Sequence, residues 1–129
     1  MFRTVLVAAF VVMAGSQALA LNKRIAAELE RLEPEEELEQ RCDVEALSRI
    51  DAARDDMTPD KVIAYTFATP EVKGHTIDAD GAVFRSHEHW YHLRYHCVTD
   101  ASALNVTAFS FEIGTEIPRS EWERNYLYP

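Results

Sequence analysis

The densest chemistry in the chain lies in "HEHWYHLRYHC", His87 to Cys97. It holds four of the five histidines, three aromatics and one of the two cysteines. Imidazoles this close together can bind a metal ion, relay protons or titrate near neutral pH. Which of these they do depends on the element that carries them. On a helix, His89, His92 and His96 would share a face, and a zinc site would be credible. Trp90, Tyr91, Tyr95 and Val98 favour a strand instead, and the alternation is regular. On a strand, Tyr91, Leu93, Tyr95 and Cys97 face one way, while Trp90, His92, Arg94 and His96 face the other. Four residues of strand span about 13 Å, so His92 and His96 cannot share an ion held by bonds of about 2 Å. His87 and His89, about 7 Å apart, remain as metal candidates, with a third ligand from a bent Glu88 or from His75 on a neighbouring strand. "HEHWY" is not H-E-x-x-H, because position 91 is Tyr. The expectation is no cofactor and no dedicated metal site. Histidines on an acidic protein would also shed net negative charge between about pH 7 and 5, as any exposed histidines would.

Other catalytic signatures are missing from the sequence. It contains no G-x-S-x-G, no P-loop and no dinucleotide fingerprint. Asp78 and Asp80 lack the EF-hand spacing. Asn105-Val106-Thr107 fits the glycosylation pattern by chance, within an expected strand.

The two cysteines, Cys42 and Cys97, form no C-x-x-C. An even count in an exported chain points to a structural disulfide between them. Export is read from "MFRTVLVAAFVVMAGSQALA". Arg3 is followed by an apolar core, Val5 to Ala14, too short to span a bilayer, and then by the A-x-A site Ala18-Leu19-Ala20. Residues 1–20 are therefore expected to be a signal peptide, leaving no stable membrane anchor and a periplasmic or secreted protein. Its formal charge of −9 becomes −10 when Arg3 is removed. Such an acidic chain repels nucleic acid and anionic lipid. Much of the acid lies between Glu28 and Glu45, where a solvated helix face accounts for it.

These residues are positioned by three expected regions. Residues 21–57 read as helical. Ile25, Leu29 and Leu32 have helical spacing, Pro34 fits the first turn of a second helix, and Leu38, Cys42, Ala46 and Ile50 recur every four residues. Glu35, Glu36 and Glu37 suit that helix's N-terminal dipole. Lys61 to Gly114 reads as antiparallel strands: "KVIAYTF", a hairpin turning at Asp80-Gly81, the histidine strand, a turn at Asp100–Ala103, and "LNVTAFSFEIG". Ser120 and Glu123 make a capping box for a short C-terminal helix whose Trp122 and Tyr126 close over the sheet.

The quoted pieces "LEQRCDVEALSRI", "VIAYTFATP", "GAVFRSHEHWYHLRYHC" and "FSFEIGTEIPRSEWERNYLYP" together resemble an uncharacterised family of small exported proteins, a domain of unknown function best known from alphaproteobacteria. The resemblance implies an exported single domain with paired cysteines over residues 35–129. It implies no activity, ligand or catalytic residue.

The expected architecture is α+β: an N-terminal helical region over residues 21–57, packed on a roughly four-stranded antiparallel sheet within residues 58–129, with a short C-terminal helix. A Cys42–Cys97 bridge ties helix to sheet. The leading functional expectation is a non-enzymatic binding module for a protein or small molecule of the cell envelope. Trp90, His92, Arg94 and His96 are its candidate surface. The alternatives are a periplasmic metal-binding protein using His87 and His89, and a small hydrolase or isomerase with a histidine–carboxylate pair assembled by the fold.

Overall fold

The structure is a computed structural model that describes residues 21–129. The expected signal peptide, residues 1–20, lies outside the described residues. Two helices come first, α1 (Lys23–Leu29) and α2 (Pro34–Ala53). Asn22 caps α1 by accepting the Arg24 N–H at 2.8 Å. Pro34 opens α2, where its missing N–H costs nothing, and Glu35, Glu36 and Glu37 fill the first turn. Leu38, Cys42, Ala46 and Ile50 form the buried stripe of α2, as their spacing of four predicts.

Five antiparallel strands follow: β1 (Pro59–Ile63), β2 (Glu71–Lys73), β3 (Thr76–Ser86), β4 (His89–Thr99) and β5 (Val106–Glu116). Their order is β1-β3-β4-β5, with short β2 also pairing to β3. The fold is α+β. Helix α2 crosses one face of this sheet, here called the inner face. Its buried stripe meets Ile77, Ala79, Ala82 and Phe84 of β3 and Leu93, Tyr95 and Cys97 of β4. Cys42 and Cys97 are bonded across that interface. Among the described residues no helix is long and apolar enough to cross a membrane.

The expected turn at Asp80-Gly81 is instead a bulge inside one continuous strand. The β3–β4 register shifts between Ala79 and Ala82. Inward positions are odd before the bulge (Ile77, Ala79) and even after it (Ala82, Phe84). The extra residue reverses the parity, which breaks the alternation and mimics two strands around a turn. Gly81 is required there because the loop after β1 crosses directly over it. A Cβ at Gly81 would lie 2.2 Å from the Ala68 nitrogen, and the Phe67 N–H donates to the Gly81 carbonyl at 2.9 Å. The hairpin turn falls at His87 and Glu88, both in the left-handed region with φ of 49° and 65°. Two such residues make a two-residue turn whose twist suits the strands on either side.

Two further expectations are corrected. "KVIAYTF" leaves the sheet after Ile63, so Tyr65 and Phe67 lie in a loop and are exposed. The C-terminal helix is reduced to two 3-10 turns, Arg119–Glu121 and Glu123–Asn125, with no side-chain cap from Ser120. Trp122 is buried as expected. Tyr126 is exposed, because its left-handed backbone (φ 56°) turns the chain so that Leu127 enters the core in its place.

Candidate functional site

The face of the sheet opposite α2, the outer face, is divided in two. One half is sealed. Val83, Trp90, Ile117, Trp122 and Leu127 form a second apolar cluster there. Trp90 sits beneath the C-terminal segment, only 1% exposed. Its indole N–H donates to the Tyr128 carbonyl at 2.8 Å, and its own carbonyl accepts the Ile117 N–H at 2.8 Å. The Arg85 guanidinium stacks 5.5 Å over its ring, anchored to Asp60 at 2.8 Å. Trp90 therefore lies on the outer face, as its parity requires, but it is a core residue and not part of an exposed stripe. A tryptophan is too large to leave in water when the residues after β5 can cover it.

The other half of the outer face is open. Strand β4 lays His92, Arg94 and His96 along its floor, with Asp78 and Asp80 of β3 on one side and Ser110, Glu112 and Gly114 of β5 on the other. The charges are arranged in pairs. His96 Nδ1 lies 2.6 Å from Asp78 Oδ1. Arg94 stands between Asp80 at 3.6 Å and Glu112 at 3.7 Å. His92 is packed between strand and loop. The Phe67 ring lies 4.8 Å from its imidazole, and a Cβ at Gly114 would come within 2.8 Å of its Cβ. Gly114 thus makes room for the imidazole, and Phe67 walls one end. The floor near Arg94 and His96 is a shallow depression of about 240 Å³.

Asp78, His96 and Ser110 form a row across three adjacent strands, in the order acid, base, hydroxyl. His96 is hydrogen-bonded to Asp78, but among the described residues no hydrogen bond joins it to Ser110. The histidine and both flanking residues are open to water, so the row has the order of a hydrolytic triad without its closed geometry.

The remaining histidines are scattered. His87 occupies the β3–β4 turn, and His75 lies before β3 at the opposite end of that strand. Eleven residues of strand separate them by about 35 Å. His89 is engaged instead with Glu116, Nδ1 to Oε1 at 2.5 Å. The metal candidates His75, His87 and His89 therefore do not converge. Among the described residues no three histidine, cysteine or acidic side chains could hold an ion together.

A second titratable group lies under α2. Asp43 is buried and accepts a hydrogen bond from the Tyr95 hydroxyl at 2.7 Å. Burial pushes its pKa up to about 8, and nearby Glu39 adds to the rise, while the Tyr95 hydrogen bond opposes it. The same burial raises the Tyr95 phenol, with Asp43 reinforcing it. The pair faces the inner core and fastens α2 to β4. On the same helix, Arg41 and Arg49 flank buried Glu45 at 3.0 and 2.9 Å, and Arg41 Nε also donates to the Leu104 carbonyl at 2.8 Å. This network holds the β4–β5 loop against the helix.

Of the expected surface, the structure leaves His92, Arg94 and His96 on the open half and removes Trp90. Asp78, Asp80, Ser110 and Glu112 form its walls. Their alternation with Ile77, Ala79, Phe109 and Phe111 already assigns them to the outer face. Phe67 carries no such signal, because it arrives through a loop crossing.

A family model described as Domain of Unknown Function (DUF930) matches residues 29–127. No curated protein and no solved structure matches the chain.

Proposed function

The chain belongs to the DUF930 family of unknown function, and we propose that it is a non-enzymatic binding module that holds its ligand on the open half of the outer face. The exported, alphaproteobacterial setting implied by the sequence resemblance belongs to the same proposal, and it would place the module in the cell envelope. One observation carries the reading: residues 117–129 seal one half of this face, while the other half is open and charged. The open half presents Arg94, His92 and His96 between paired carboxylates, with Phe67 at the rim. Such an array offers fixed donors and acceptors beside an exposed ring. A depression this shallow suits a polar ligand lying along the strands better than a small molecule enclosed in a pocket.

The test is a titration of ¹⁵N-labelled protein with a panel of oligosaccharides and short polar peptides at millimolar concentration. A ligand should shift the amides of Phe67, Asp80, His92, Arg94 and Glu112 together, and Arg94→Ala should weaken its binding about tenfold, the loss of one charge-assisted contact of about 1.5 kcal/mol. A ligand that maps to the α1–α2 surface, or one bound equally by the Arg94 variant, would count against this site, as would a panel that leaves those amides unmoved.

A further inference from the structure

The two edges of the sheet are built differently. Strand β1 has five residues, includes Pro59 and Lys61, and is bulged between them. Shortness, proline, lysine and a bulge are the usual means of keeping an edge from pairing with another chain. Strand β5, at the other edge, has none of the first three. It runs eleven residues, Val106–Glu116, without proline or lysine, and pairs with β4 alone among the described residues. Its irregularities lie toward its two ends, so Ala108–Ile113 stays in unbroken register. On the inner side, Phe109, Phe111 and Ile113 continue the core outward but are only partly buried. On the outer side, Ser110 and Glu112 are exposed.

On its outer side the charge around this edge is negative, one Arg94 standing against Asp80 and Glu112. β5 contributes Glu112 and Glu116 and no cation, Glu116 being engaged with His89. On the outer side Arg94 reaches Glu112 but shares its charge with Asp80, while on the inner side Arg49 lies 5.6 Å over the Phe109 ring and shares Glu45 with Arg41. A second copy would bring another acidic strand and another net −9 to this edge. We propose that the β5 edge receives an extended segment of a basic protein, added as a further strand. Its apolar side chains would meet Phe109, Phe111 and Ile113 on the inner side, and its lysines or arginines would meet Glu112 on the outer side. Main-chain hydrogen bonds supply the affinity in this kind of recognition, and the alternating side chains supply the choice of partner. The proposal does not depend on a ligand at the open outer face.

The probes are nine-residue peptides added to protein purified from expression of the full-length chain. An alternating Lys/Val peptide should bind and raise the hydrogen-exchange protection of Ala108–Ile113 amides. Raising the salt to about 0.5 M should weaken it at least tenfold, because ion pairs at an exposed edge are screened. An alternating Glu/Val peptide should not bind. A fully N-methylated Lys/Val peptide, with charge retained and N–H groups removed, should lose binding as well. Glu112→Lys should weaken the Lys/Val peptide about tenfold or more, with circular dichroism confirming the fold. Three outcomes would overturn the proposal: equal binding of the N-methylated peptide, protection gained elsewhere than β5, or a concentration-dependent dimer that protects β5 without peptide, which would make a second copy the occupant.

Discussion

Asp43 is a carboxyl group buried almost completely out of water. It stands on the buried side of α2 with its carboxyl on the Tyr95 hydroxyl, and burial raises its pKa from 3.8 to about 8. The folded state therefore keeps a proton that the unfolded chain releases near pH 4. The stabilising contribution of this group is complete below about pH 4 and is lost as the pH rises toward 8. Urea denaturation between pH 4 and 8 should show stability falling as pH rises. Asp43→Asn, neutral throughout, should flatten much of that slope and make the variant relatively more stable at pH 8. An unchanged slope would mean that the carboxyl is ionised in the fold. The exposed histidine–carboxylate pairs, His96–Asp78 and His89–Glu116, differ in kind: both partners of each stay in contact with solvent, which limits such a pair to about 1 kcal/mol or less.

At the scale of elements, the decisive feature is how the C-terminal segment lies on the sheet. Residues after β5 supply little regular structure, only two 3-10 turns. They nonetheless complete the second core, because Trp122 and Leu127 cover Trp90 and Val83, and the Trp122 indole donates to the Ile117 carbonyl at 3.0 Å. Truncating Trp122 would leave a large void beside Trp90. Trp122→Ala should cost about 3–5 kcal/mol in denaturant titrations. It also leaves Trp90 as the sole tryptophan, since the chain has two. The emission of Trp90 should then shift to the red as water reaches it; a blue, buried-type spectrum would show that the segment stays seated without its anchor.

At the scale of the molecule, one covalent bond joins the helical layer to the sheet. Cys42 and Cys97 are 55 positions apart, and closing a loop of that size in the unfolded chain is worth about 4 kcal/mol in the chain-entropy description. Replacing both cysteines by alanine should lower the unfolding free energy by about that amount, measured by urea titration of the oxidised parent and the variant. A loss below about 1 kcal/mol would place the main tie between the layers in the buried side-chain contacts, Asp43–Tyr95 and Arg41 to the Leu104 carbonyl among them.

The pattern of residues determined much of this by itself. Leu38, Cys42, Ala46 and Ile50 at spacings of four define the buried stripe of α2, since a helix brings every fourth residue back to one side. Tyr91, Leu93, Tyr95 and Cys97 define the inner face of β4, because a strand alternates strictly. Their intersection sets Cys42 against Cys97. Local periodicity carries no information beyond its own element, and that is where the sequence stopped. Asp80-Gly81 has turn chemistry, yet tertiary structure made it a bulge, because a separate loop crosses Gly81 and the strand continues beyond it. Trp90 has outer-face parity, yet only the return of a distant segment decided that this outer position is dry while Arg94 and His96 on the same strand are wet. Burial on a second face depends on what the rest of the chain brings back to cover it, and no spacing within a single strand encodes that.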